Sequence, residues 1–312
     1  LRAGWPGLIV SGVCFILPAV AITTSFGWIY QQFGTLHQVA PIFAGIQPVV
    51  LGIIALAVWR LGLKALKNQK LWWIAAGVLL VGLLGLDPVI AMLLGGILGA
   101  IVLYNKPSSP PPIAAAAPFL GFPLAQLSPA TGLASASPNL WQLGLFFLKV
   151  GSILYGGGYV LIAFLQDELV DRFGWLTQQQ LLDAIAVGQF TPGPILSTAT
   201  FIGYLIAGFP GAIVSTIGIF LPSFLFVIIL NPWISKLRQF PYTAAFLDAV
   251  NASAVALMAA VTLQLAQTLL GQSGGWLKIA IAAVSVGIVW RWRINPAYLV
   301  IAGGAIGWLV EA

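Results

Sequence analysis

The chain has 312 residues, 60% hydrophobic and only 6% charged, with a mean hydropathy of +1.02. Soluble domains carry roughly 25% charged residues, so this chain cannot clothe a water-facing surface and is read as an all-α integral membrane protein. The net charge of +6 comes from short basic clusters beside apolar runs, which is a membrane-topology signal and excludes a nucleic-acid partner.

Long apolar runs without period-2 alternation predict helical spans rather than an outer-membrane barrel. They fall near 7–29, 39–63, 71–86 and 88–104, then 140–165, 184–208, 211–231, 243–270, 275–290 and 294–310, about nine or ten membrane segments. The 71–104 run reads as two short helices joined at Asp87-Pro88, because proline and the residue before it favour a turn. Residues 105–139, rich in Pro, Ala and Ser, read as a linker. The domain expectation is a first repeat at 1–104, this linker, and a second repeat at 140–312.

The halves are related. AGWPGLIVSGVCFILPA at 3–19 returns as AGFPGAIVSTIGIFLPS at 207–223, with nine of seventeen positions identical. Asp87-Pro88, Gly95-Gly96 and Gly99 find counterparts in Asn295-Pro296, Gly303-Gly304 and Gly307. Residues 140–204 have no counterpart, so either the halves are unequal or some sixty upstream residues are lost; the missing initiator Met favours the latter. Charge sets the relative orientation. The 60–70 loop carries Arg60, Lys64, Lys67 and Lys70, whereas its equivalent at 264–274 has no charge; 232–242 and 291–293 are basic instead. Positive-inside then predicts inverted-topology repeats, the pattern of secondary transporters. This topology requires 140–165 to begin and end on the side of Arg172, as a re-entrant hairpin with its tip at Gly156–Gly158.

Candidate residues cluster at 149–204. Gly156, Gly157 and Gly158 weaken a helix at membrane depth; either their amides face a ligand or another backbone packs closely there. Thr191-Pro192-Gly193-Pro194 is a second break, where free N–H groups and the helix dipole form an anion site, or a packing kink. Lys149 lies in an apolar run and either balances an anion, pairs with an acid or snorkels to the interface. Thr177 and Gln180 form a capping box for a helix carrying Asp183. Glu168 and Asp183 are the candidates for proton coupling. Gln47 and Asn251 are matched amides at the same offset, suited to ligand contact or interhelical hydrogen bonding. Cys14 reads as a packing residue and His37 as a loop residue. No triad, metal motif or nucleotide loop occurs, so neither an enzyme nor a cofactor is expected.

The stretch 144–224, with Phe147-Leu148-Lys149, Gly156-Gly157-Gly158-Tyr159, Glu168, Asp183, Gly188-Gln189, Thr191-Pro192-Gly193-Pro194 and Phe220-Leu221-Pro222-Ser223, resembles the chromate ion transporter family. Residues 1–66 resemble the latter part of that family's first half. The resemblance implies a multi-pass protein of a bacterial inner membrane that moves chromate, usually outward, by alternating access, with sulfate as chemical analogue. It adds Tyr159 and Gln189 to the expected substrate-binding residues. The partners it implies are the oxyanion and the lipid bilayer; a homodimer is compatible with it. The family's first copy of the glycine and Pro-Gly-Pro motifs is absent here, and Gln47 stands where the family commonly has Lys.

Overall fold

The computed structural model describes residues 4–34, 40–103, 139–154, 158–191, 194–237, 241–271, 274–292 and 294–311. The linker at 105–138, His37, Gly156, Gly157, Pro192 and Gly193 fall outside them, as does the side chain of Tyr159. The described residues form eleven α-helices joined by short 3₁₀ and π turns, with no strand. In chain order these are α1 (Gly4–Phe33), α2 (Ala40–Ala65), α3 (Gln69–Leu83), α4 (Pro88–Leu103), α5 (Leu140–Ile153), α6 (Leu161–Phe164), α7 (Gln178–Phe190), α8 (Thr198–Leu237), α9 (Pro241–Gly271), α10 (Gly275–Trp292) and α11 (Pro296–Glu311). Five helices are long and apolar enough to cross a membrane, and shorter apolar helices such as α3, α4 and α5 accompany them. The chain is a multi-pass, all-α membrane protein. The outward-facing Trp59, Trp72, Trp73, Trp141, Trp276, Trp290 and Trp292 are all more than half exposed, as suits side chains at a lipid interface.

The 71–104 run is two helices, as the sequence predicts. Asp87 Oδ1 accepts from Val89 N at 2.8 Å and so caps α4. Its counterpart Asn295 caps α11, accepting from Ala297 N at 3.0 Å. The repeat is thus visible even in the helix starts.

The two halves exchange helices. α2 packs against α10 and α11 of the second half, and α9 packs against α3 and α4 of the first. Glycines set these contacts. Gly45 abuts Gly303 and Gly307, and Gly99 abuts Ala249. Ala249 is the repeat mate of Gly45, and Gly99 that of Gly307, so one contact is the image of the other. The same exchange relates Gly304 against Ile42 and Ile46 to Gly96 against Phe246 and Val250. An operation that carries each half onto the other is a pseudo-two-fold.

The direction of that operation follows from α2 and α9, themselves repeat mates in contact. A Cβ on Gly62 would lie 3.8 Å from Val255 Cγ1, and Lys67 Nζ lies 3.4 Å from Asp248 Oδ1. Moving forward along α2 means moving backward along α9, so the mates are antiparallel. A two-fold parallel to the helices would instead hold mates side by side at equal height. Repeat mates that run antiparallel are the geometry of inverted repeats.

Both halves bring their basic ends to one face. Besides the Lys67–Asp248 pair, Arg60 donates to the Val289 carbonyl at 3.3 Å, and Lys70 donates to the Val102 carbonyl at 2.9 Å. Asp87, Asp167 and Arg172 gather at the other face, where Thr268 donates to Gln178 Oε1 at 3.1 Å.

Candidate functional site

The residues after the linker form two chain reversals. Lys149 on α5 bonds through Nζ to Glu168 Oε1. A continuous helix would place residues nineteen apart about 28 Å from each other. The chain therefore turns back between them, so the described residues on either side, 140–154 and 158–172, run as the two arms of a hairpin. The span expected at 184–208 is likewise broken: α7 ends at Phe190, and a Cβ on Gly188 would run into Thr198 Oγ1 on the returning strand of chain. A third reversal divides α8. Ala207 and Gly208 leave helical geometry, Gly208 at φ 63° as glycine readily allows, and Thr200 meets Thr216 at 2.8 Å across the bend. The arm after Gly208 is the repeat mate of α1.

The first two reversals meet. A Cβ on Gly158 would sit 3.1 Å from that of Ile195, and short 3₁₀ turns at Gly158–Val160 and Ile195–Ser197 begin the returning arms. The first residues of each arm have no intrahelical partner for their N–H groups. Ser197 and Thr198, 0% and 1% exposed, add hydroxyls that make no hydrogen bond. Buried hydroxyls are normally satisfied, and these two at a helix start are not.

Glu168 is 5% exposed and Lys149 31% exposed at the side chain, so the pair sits largely within the protein. Of the three alternatives open for Lys149, pairing with an acid is the one realised. Thr191 is buried and donates to the Val187 carbonyl at 3.0 Å, closing the last turn of α7. Pro194 holds extended geometry before the second 3₁₀ turn, and Gln189 is half-buried beside it. Gly156, Gly157, Pro192 and Gly193 lie outside the described residues.

Asp183, one face of α7, is fully buried. Tyr30 at the end of α1 donates to its Oδ2 at 2.8 Å, reaching from the first half to the second. Tyr30 is held edge-on between Phe43 and Phe201, at ring-centroid distances of 5.0 and 5.6 Å. Gln47 on α2, 3% exposed, lies within range of the same carboxylate, yet its Nε2 and Asp183 Oδ1 lack hydrogen bonds of normal geometry. Its repeat mate Asn251 is half-buried on α9 and does not join this cluster. Tyr30 carries no sequence signal beyond being a hydroxyl in an apolar run, which needs a partner when buried. Only the fold identifies that partner.

At the far face, Asp167 is pushed up to about 6, first by burial and then by the nearby charges of Asp87, Glu168 and Asp171. Burial also raises Asp171, opposed by its hydrogen bond from Gln166 at 3.0 Å. The capping box of Thr177 and Gln180 is formed in both directions, at 2.9 and 3.1 Å.

The family described as chromate transporter matches residues 1–100 and 141–308, on either side of the linker. The chain is 33% identical to a chromate transport protein of Cupriavidus metallidurans, over 97% of its own length and 75% of the relative's. It is also 33% identical to a probable chromate transport protein of Synechococcus elongatus, over 98% of its length and 78% of the relative's. An uncharacterized transporter of Bacillus subtilis is 31% identical over 54% of this chain, which accounts for 95% of that relative. No solved structure matches. These are transporters rather than enzymes, and a match spanning both repeats settles the kinship: the chain belongs to the chromate transporter family.

Proposed function

We propose that the protein moves chromate, with sulfate as a competing analogue, across a bacterial inner membrane by alternating access, in the direction of efflux. The observation that carries this reading is the meeting of two broken segments at Gly158 and Ile195, next to buried hydroxyls left without partners. A tetrahedral dianion there would be held by N–H groups at the starts of two helical arms, and by Ser197 and Thr198. Gly158, Thr191 and Pro194 are the described residues nearest this cradle, and Gln189 lies on α7 just before Thr191; Gln47 and Asn251 are proposed as further amides in the transport path.

Lys149 does not supply a free charge to the anion in this arrangement, since Glu168 already balances it. The cradle is neutral, built from dipoles. Dipoles stabilise an anion without trapping it, as a site that must release its cargo requires. Membrane potential favours outward movement of a dianion by roughly 2.3 kcal/mol per charge per 100 mV.

The reading is tested with purified protein in liposomes preloaded with radiolabelled chromate. Loss of label should accelerate with an inside-negative potential and slow when sulfate competes. Label retained as in protein-free liposomes would overturn it. Faster loss with sulfate or molybdate as cargo than with chromate would reassign the substrate.

A further inference from the structure

We propose that Asp183 is a proton-binding site loaded together with the anion, with Tyr30 as the group that bridges it to the other half; this rests on the transport reading above. The side chain is 0% exposed. Oδ2 accepts from the Tyr30 hydroxyl at 2.8 Å, and Oδ1 makes no hydrogen bond of normal geometry. The side chains that act on the carboxylate are those of Tyr30 and Gln47, both neutral.

α7 packs against α1, α2, α8, α11, the 195–197 turn and the 165–172 segment. Arg60 and Lys64 lie at the basic end of α2, where Arg60 is bonded to Val289. Tyr204 on α8 and Tyr298 on α11 do not act on Asp183. In the 165–172 segment, Glu168 is taken by Lys149 and Asp171 by Gln166, and neither Asp167 nor Arg172 acts on Asp183. Among the described residues no cation faces it.

A carboxylate without counter-charge in a dry site is costly, whereas the neutral acid is cheap. Such a group takes up a proton when another negative charge arrives. The second break begins eight residues further along the chain, about 12 Å of helical rise. At that distance, in low dielectric, a dianion favours the neutral acid. Proton and anion therefore load together, and the charge moved falls from two to one. Tyr30 belongs to the first half and Asp183 to the second. Any rocking of one half on the other stretches their bond, which ties the proton site to the motion.

The test uses the full chain in liposomes containing a pH-sensitive dye, with the potential clamped, in alkaline medium where chromate is the dianion. An inward chromate gradient should acidify the lumen. Asp183→Asn should abolish that acidification while chromate–chromate exchange continues and loses its pH dependence. Acidification that persists in Asp183→Asn overturns the proposal, as does chromate flux without acidification in the unsubstituted protein. Absence of any chromate flux in the unsubstituted protein instead refutes the transport reading itself. Should Asp183→Asn not fold, Tyr30→Phe decides. Removing a hydrogen bond to the charged form should move the midpoint of the pH dependence of exchange upward by about one unit. An unmoved midpoint overturns the proposal.

Discussion

Lys149 and Glu168 show how a single pair can decide the path of a chain. Their bond closes the first hairpin, and the low exposure of Glu168 makes the lysine its necessary counter-charge. Lys149→Ala leaves a buried carboxylate alone and should cost about 3 kcal/mol, the lower end for a buried pair because the lysine is part-exposed. Lys149→Met combined with Glu168→Gln should recover much of the loss. Thermal unfolding in detergent, run as a double-mutant cycle, checks this; equal and additive losses would mean the pair is not coupled. Asp167 gives a second residue-scale expectation. Its proton is held more tightly in the folded state (about 6) than at its ordinary value of 3.8. The folded state therefore gains from this group as pH falls, fully below about 3.8, and loses the gain as pH rises through about 6. The unfolding temperature should thus fall between pH 5 and pH 7.5, and Asp167→Asn should flatten that fall.

At the scale of elements, glycine contacts replace a water-driven hydrophobic effect that has no counterpart between helices in lipid. Close approach lets backbones touch, so bulk at these positions cannot be absorbed by rotating a side chain. Gly45 meets the Gly303 carbonyl and the backbone of Gly307, so Gly45→Val forces α2 off α11. Gly77 on α3 faces outward with nothing within 4 Å of a Cβ. Gly77→Ala should be neutral or stabilising by at most about 1 kcal/mol. Gly45→Val should lower the unfolding temperature sharply, and Gly99→Val should do the same through the mirrored contact with Ala249. Unfolding curves of the three variants in one detergent compare them directly; similar curves for Gly45→Val and Gly77→Ala would remove the glycine contacts from the account.

For the whole molecule, the exchange of helices makes each half depend on the other for burial. α2 and α9 form the centre, each covered by two helices of the opposite repeat. On a Cys14→Ser background, cysteines at Lys67 and at Gly271 should label from opposite sides of the membrane in intact cells. A cysteine at Arg172 should label with the Gly271 side, because Gln178 just beyond it bonds to Thr268. Labelling of Lys67 and Gly271 from the same side would contradict antiparallel mates.

Membrane residence, helix class, the internal repeat and the turn at Asp87-Pro88 were legible in the sequence, since composition and local backbone preference act over short distances. Charge asymmetry between equivalent loops also carried the inversion, because lipid sorts basic residues to one side whatever the packing. The breaks at 156–158 and 191–194 stood out as glycine and proline where a helix should continue. What those breaks do was not legible. Gly158 meeting Ile195, Lys149 turning to Glu168, and Tyr30 reaching Asp183 join residues nineteen to 153 positions apart. The repeat offset pairs Gln47 with Asn251, yet only Gln47 reaches Asp183. Local chemistry wrote the elements and their facing; only packing across the two halves decided which buried polar groups share a site, because burial is a property of the neighbours and not of the residue.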